Sequence, residues 1–365
     1  MDYTRCELVY PQFLEEDTPP MDKPEATAFR LGESAREVKP ADSPEGFLNN
    51  CTQESITYLE GFIHDQLAAH RCATQHLDVH LLEYLHDTLT ALATGGKHVR
   101  CRLVHLAAGQ PATRAACVFG ACVDLLHSAF LIHDDIIDED LLRRGEPTVH
   151  ALAIEALRER GASRPGIDGT SLGLLIGDLA MSYVYQILAE ADLSPNLLRQ
   201  AVGMFGTISA QTIIGELFDV EHNALHETHI AHIARSNHLK TSWYSFVLPL
   251  CLGAAAAGRD PEAFSSIGIH LGKAYQAGDD LLGASTTGLS GKAASDVEAG
   301  RATLLTAQLA RGLSVEEATA NVLSAVRGEL TIARKEIDAA PIPSDVRSGL
   351  RGVADDIEKM VVGLV

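Results

Sequence analysis

The chain has 365 residues, 46% of them hydrophobic, enough to bury a sizeable core in one or two domains. Its 29 Lys and Arg stand against 49 Asp and Glu, a formal charge of −20 that repels nucleic acid and anionic lipid, so a sequence-independent nucleic-acid binder is excluded as the default. With aromatics at 5% and alanine and leucine recurring throughout, the composition points to helix over strand.

Residues 1–50 hold six of the fourteen prolines and eleven acids against five bases. They are predicted to form a disordered tail, followed by one folded domain over 51–365. The opening MDYTRCELVYPQFLEED lacks the apolar run of a secretory leader, and the seven cysteines include no C-x-x-C pair, so reduced thiols and a cytoplasmic location are expected. Amphipathic helical spacing then recurs over 54–70, 77–93, 115–142, 149–160, 171–190, 195–214, 229–239, 241–257, 262–282, 302–311, 315–339 and 344–363. Breaks fall at Gly95-Gly96, Gly109 to Pro111, Gly145 to Pro147, Gly161 to Gly169 and Thr286 to Gly291. Strand-like alternation is nowhere sustained, so the predicted fold is all-α, one large helical bundle without internal repeats. Eighteen uncharged residues between Lys240 and Arg259 approach the ~20 that a bilayer span needs. Thr241, Ser242, Ser245 and Pro249 interrupt them, which predicts a helix buried within the bundle and no transmembrane segment.

The segment HSAFLIHDDIIDEDLLRRGEPTVH, residues 127–150, carries the clearest chemistry. On a helix Asp134 and Asp138 share a face, with Asp135 beside them. Clustered carboxylates on an otherwise apolar helix repel one another unless a cation neutralises them, which predicts a Mg2+ site and, through the open coordination positions, a phosphorylated substrate. A second run, GKAYQAGDDLLG, places Asp279 and Asp280 after another apolar stretch. Lys97 and Arg100 follow a Gly-Gly turn, Arg143 and Arg144 follow the first acidic run, and Lys240, Lys292 and Arg301 complete a set of candidate phosphate contacts. His222, His226 and His229 have a spacing that one helical face could use to bind Zn, but their polar surroundings favour a solvated helix pair or loop. Gly177-Asp178 is expected to serve packing or a helix start.

In this order GGKHVR, HDDIID with RRGEPTVH, Lys240-Thr241, YQAGDD and GKAASDVEAGRATLL resemble the motifs of the trans-isoprenyl diphosphate synthase (polyprenyl synthetase) family, over about residues 52–340. The resemblance implies an isoprenoid-synthase bundle around a central cavity. It also implies Mg2+-dependent, head-to-tail condensation of isopentenyl diphosphate with an allylic diphosphate, in a homodimer. Carried over, it assigns Asp134, Asp135, Asp138 and Asp279 to the metals. Arg143, Lys240, Lys292, Thr241 and Gln276 go to the allylic diphosphate, and Lys97, Arg100, His127 and Arg144 to isopentenyl diphosphate. A bulky residue at the two positions before the first motif sets product length in this family. Ala129 with Phe130 therefore implies geranylgeranyl diphosphate, C20, with farnesyl diphosphate accepted as primer. The chain departs from the pattern at Gly283 in the second aspartate-rich motif, at His98 and Cys101 in the GGKHVRC element, at Glu216 before Asp219, at Arg301, and in a C-terminus, EKMVVGLV, without a basic tail. A terpene cyclase on the same scaffold would need no second diphosphate site, and a non-catalytic partner subunit would not need the first aspartates.

Overall fold

The computed structural model describes residues 43–73, 80–284 and 301–362, and they form the expected helical bundle. Helix α1 spans Pro44–Ala73, α2 His80–Thr94, α3 Val99–Ala108, α4 Arg114–Ile137, α5 Val149–Glu159, α6 Pro165–Glu190 and α7 Pro195–Leu225. Helix α8 (Ile230–Asn237) runs through a π-helical stretch, His238–Val247, directly into α9 (Leu248–Ala256). Helices α10 (Glu262–Ala284), α11 (Leu304–Ala310), α12 (Val315–Ala339) and α13 (Ser344–Val362) complete the chain. The sole strand pair among the described residues is a two-residue hairpin, β1 (Leu142–Arg143) on β2 (Glu146–Pro147).

Four departures from the sequence expectation have simple causes. Helix α1 begins at Pro44, so the folded domain starts before residue 51; the Ser43 hydroxyl accepts the Gly46 N–H and caps the helix. The remainder of the tail lies outside the described residues. Helix α3 is not anticipated, because Cys101 and Leu103–Ala108 are all buried and a short helix covered on every side has no apolar stripe. Helix α4 stops at Ile137, five residues early, since Glu139 adopts φ 57 and the chain turns into the hairpin. Helix α7 continues past residue 214, where Glu216, Asp219 and Glu221 break its apolar period.

Helix α4 is the axis of the core, with Ala116–Leu126 buried throughout, and α1, α3, α6 and α9 pack around it. Close approach is set by residues without a side chain: a Cβ at Gly177 would lie 2.2 Å from His133 Nε2, and one at Gly253 2.1 Å from the Val104 carbonyl oxygen. Gly177 is thus a packing residue in mid-helix. The uncharged run ends as predicted, with Leu248–Ala255 buried within the bundle. By length and composition alone three helices could cross a membrane: α4, α6 and α7, whose apolar windows are 78%, 44% and 33% buried.

Candidate active site

The acidic turn of α4 meets Lys240 of the π-helical stretch, on which α10 packs in turn. Within the β1–β2 hairpin, Arg144 (φ 55) and Gly145 (φ 85) occupy two successive left-handed corner positions, the geometry a two-residue hairpin turn requires. That turn folds Arg143 back on α4. Its Nε donates to both oxygens of Asp135 at 2.8 and 2.9 Å, and a terminal nitrogen reaches Asp134 Oδ2 at 3.2 Å. The next residue points elsewhere: a Cβ at Gly96 would lie 3.0 Å from the Arg144 guanidinium, so the RRG and GGK turns touch.

From the facing side, the wider π-helical turn presents Lys240 to the acidic wall. Lys240 Nζ lies 3.2 Å from Asp134 Oδ1 and 2.9 Å from both Glu216 Oε2 and Asp219 Oδ2 on α7. Burial opposes its charge, but Asp134, Asp219 and Glu216 hold it well above the ordinary lysine range. Arg301 reaches Asp138 Oδ2 at 3.2 Å, and thereby joins the segment before α11 to the end of α4. Thr241 is half-buried next to Lys240. On α10, Asp279 is exposed, whereas Asp280 is buried and accepts from Gln276 Nε2 at 2.8 Å and Asn237 Nδ2 at 3.1 Å. Lys292 lies outside the described residues.

At this end Asp134, Asp135, Asp138, Glu216, Asp219, Asp279 and Asp280 outnumber Arg143, Lys240 and Arg301. The excess shows in the protonation of the acids. Burial, reinforced by Asp134, pushes the Asp138 carboxyl up to about 6; burial pushes Asp280 up to about 7 and also raises Glu216. Such a site accepts added positive charge. Among the described residues no three His, Cys, Asp or Glu side chains are placed to hold a metal ion. Mg2+ needs only one or two carboxylates besides waters and substrate phosphates, and Asp134 and Asp138 are those this turn would offer it.

A second cationic group lies toward the bundle interior. Arg100 donates to Tyr244 Oη at 2.9 Å and Ser245 Oγ at 2.8 Å, and its guanidinium sits 4.6 Å from the Tyr244 ring centre. Its Nε and the Nδ1 of neighbouring His127 are both buried without a partner. Burial first, then Arg100, Arg143 and Arg144, hold His127 well below the usual imidazole range, so it is neutral. Two orphaned polar atoms beside exposed Lys97 and Arg144 mark a place for an acceptor-rich ligand. Phe130 meets the Tyr244 ring edge-on at 5.0 Å, and Ala129 is fully buried.

The chain matches the sequence profile described as "Polyprenyl synthetase" over residues 82–339. It belongs to the polyprenyl synthetase family. The chain is 28% identical over 223 residues to the geranylgeranyl pyrophosphate synthase of Geoglobus acetivorans, covering 59% of this chain and 64% of that protein. It is 29% identical to the geranylgeranyl diphosphate synthase of Sulfolobus acidocaldarius, over 58% and 62% of the two chains. It therefore spans less than two thirds of the length of these relatives. Farnesyl, geranylfarnesyl and nonaprenyl diphosphate synthases match at similar identities. Among solved structures, a Corynebacterium glutamicum geranylgeranyl pyrophosphate synthase complexed with isoprenyl diphosphate and magnesium shares the fold. It has a TM-score of 0.75 at 23% identity, over 86% of this chain and 99% of that one.

Several residues of the site carry no motif in the sequence. Tyr244 and Ser245 reach Arg100 from the π-helical stretch; Asn237 is tied to Asp280 across the bundle; Asn223 Oδ1 accepts the Ala302 N–H at 2.8 Å. A buried Asp124 on apolar α4, one turn before His127, is the single member that a closer look at helix polarity could have flagged. The histidine run does not form one face. The chain reverses at His226 (φ 52), and His222 and His229 both stack on His232, at 6.3 and 4.4 Å.

Proposed function

We propose that this protein catalyses Mg2+-dependent condensation of isopentenyl diphosphate with an allylic prenyl diphosphate, releasing pyrophosphate. The observation that carries the reading is the pairing of an acid-rich, cation-accepting mouth with a separate Arg100–His127 group whose buried polar atoms lack partners. Asp134, Asp135, Asp138 and Asp279 would hold the metal ions, which supply positive charge to the departing pyrophosphate. Arg143 and Lys240 lie among these carboxylates and would meet the same diphosphate, with Thr241, Gln276 and Lys292 alongside. The allylic C–O bond ionises when fixed charge is already in place around its leaving group. Lys97, Arg100, His127 and Arg144 would hold isopentenyl diphosphate so that its double bond meets the allylic carbon. A proton then leaves the new chain for the released pyrophosphate.

The proposed main product is geranylgeranyl diphosphate, C20. Phe130 supports it as the floor of the elongation path: it stands one turn before Asp134 on α4 and is braced edge-on by Tyr244. Incubation with labelled isopentenyl diphosphate and farnesyl diphosphate, with chain-length analysis, tests both the reaction and the length. Phe130→Ala should release products beyond C20. Unchanged products from a folded variant would remove the basis of the C20 reading. Ala129→Phe is the poorer test, because Ala129 is fully buried and a ring there overpacks the core.

A homodimer through α6 and α7 is proposed from the apolar side chains these helices expose, among them Leu175, Tyr185, Ile213 and Leu217. Sedimentation equilibrium should give twice the chain mass; a monomer at micromolar concentration rejects it. A cytoplasmic location rests on cysteine usage, since Cys51, Cys101, Cys117, Cys122 and Cys251 are buried free thiols; cell fractionation is the check.

A further inference from the structure

The second residue of the Lys97-His98-Val99-Arg100 turn has no part in the reading above, yet both of its ring nitrogens are engaged. His98 begins α3 in a left-handed conformation (φ 48, ψ 37). Its Nδ1 lies 2.6 Å from Asp124 Oδ2 and its Nε2 3.1 Å from the Thr94 carbonyl oxygen. Both ring nitrogens thus face acceptors, and only the imidazolium can donate at both. Asp124, buried on α4, uses its other oxygen to accept the Cys101 N–H at 3.3 Å. One carboxylate therefore anchors both the His98 ring and the first turn of α3, the turn that carries Arg100, while Lys97 immediately precedes the ring.

The charged and titratable neighbours come from every element around it. Helix α4 supplies Asp124 and α2 the Thr94 carbonyl; neutral His127 lies next to His98 and is itself flanked by Arg100 of α3 and Arg144 of the hairpin, and Cys101 shares Asp124. The Asp124 hydrogen bond outweighs burial and raises the His98 pKa above its ordinary value. A raised folded-state value means that the doubly donating form is complete at low pH and is lost as pH rises through that value. Above it, one ring nitrogen presents a lone pair to an oxygen.

We propose that His98 is a positioning residue: its imidazolium, clamped between Asp124 and Thr94, sets Lys97 and Arg100 for a diphosphate, so that diphosphate affinity falls as His98 loses its proton. This rests on the isopentenyl diphosphate site proposed above. The experiment is calorimetric binding of isopentenyl diphosphate from about pH 6 to about pH 9, the range that brackets imidazole titration, by wild type and His98→Arg, which keeps a permanent charge at this position. Ionisation of the ligand is common to both proteins, so the ratio of their Kd values reports His98 alone. Wild-type Kd should rise about fivefold relative to His98→Arg across that range, the low end of a coupling between two sites. Reciprocally, the His98 titration midpoint in wild type, followed by NMR, should rise when isopentenyl diphosphate binds. A constant Kd ratio, or a midpoint that ligand leaves unchanged, overturns the proposal. Absence of binding by wild type at every pH overturns the diphosphate-site reading, and this inference with it.

Discussion

Alanine in place of Asp134 or Asp135 is expected to lower turnover by at least ~100-fold while leaving the fold intact, the scale of losing one preorganised electrostatic element. Asp134 touches both Arg143 and Lys240. Its removal unlinks the two cations that would face the leaving group. Asp135 holds the Arg143 guanidinium through both oxygens, so without it the hairpin loses its grip on α4. Neither change opens the hydrophobic core, whose large buried side chains lie elsewhere. Steady-state turnover with Mg2+ titration and a melting curve measures both halves of the statement. Near-normal turnover in either variant would remove the catalytic assignment of α4's last turn.

Gly215→Ala is expected to cost about 3 kcal/mol of stability and to reduce turnover at least tenfold, because overpacking against backbone cannot be relieved by a rotamer change and small displacements of a positioned group are costly. A Cβ at Gly215 would lie 2.3 Å from the Lys240 backbone nitrogen and 2.7 Å from the Leu239 carbonyl carbon. The only relief is to move α7 away from the π-helical stretch, which separates Glu216 and Asp219 from the Lys240 ammonium. Gly206→Ala is the control on the same helix. A Cβ there meets nothing within 4 Å, and alanine should stabilise by about 0.5 kcal/mol through the unfolded chain. Chemical denaturation of both variants reads the difference directly. Equal stabilities would mean that α7 and the Lys240 turn are not packed as described.

The helical class and the acidic turn were legible because they depend on local pattern: the period of apolar residues along α4 and the i, i+4 placement of Asp134 and Asp138. Arg143 was legible as a candidate, but its bidentate hold on Asp135 was not, because that depends on Arg144 and Gly145 both turning left-handed. Tyr244 was hidden for a related reason. Its i, i+4 spacing from Lys240 is visible in the sequence, but its contacts with Arg100 and Phe130 are made across the bundle, and no local pattern shows them. Glu216 reads in the sequence as a departure from the pattern next to Asp219, whereas in the structure both lie on α7 and surround Lys240. Helix α3 was missed because burial on every side erases periodicity. In each case the missing information is tertiary.

The π-helical stretch also limits how the gene can change. Between Ile230 and Ala256 the polypeptide is one unbroken rod, and α7 runs beside both of its halves, yet their other neighbours differ: α8 adjoins α11, while α9 adjoins α3, α4 and α10. The ten residues from His238 to Val247 set the rotational phase between those halves. Loss of a single codon there, with the winding otherwise kept, would turn everything downstream by one residue's rotation, roughly 80–100°, relative to everything upstream. Pro249 and Leu250 would leave their places in the core together, and no point substitution could bring them back. Substitutions in this stretch are judged one side chain at a time; insertions and deletions are judged by the whole bundle.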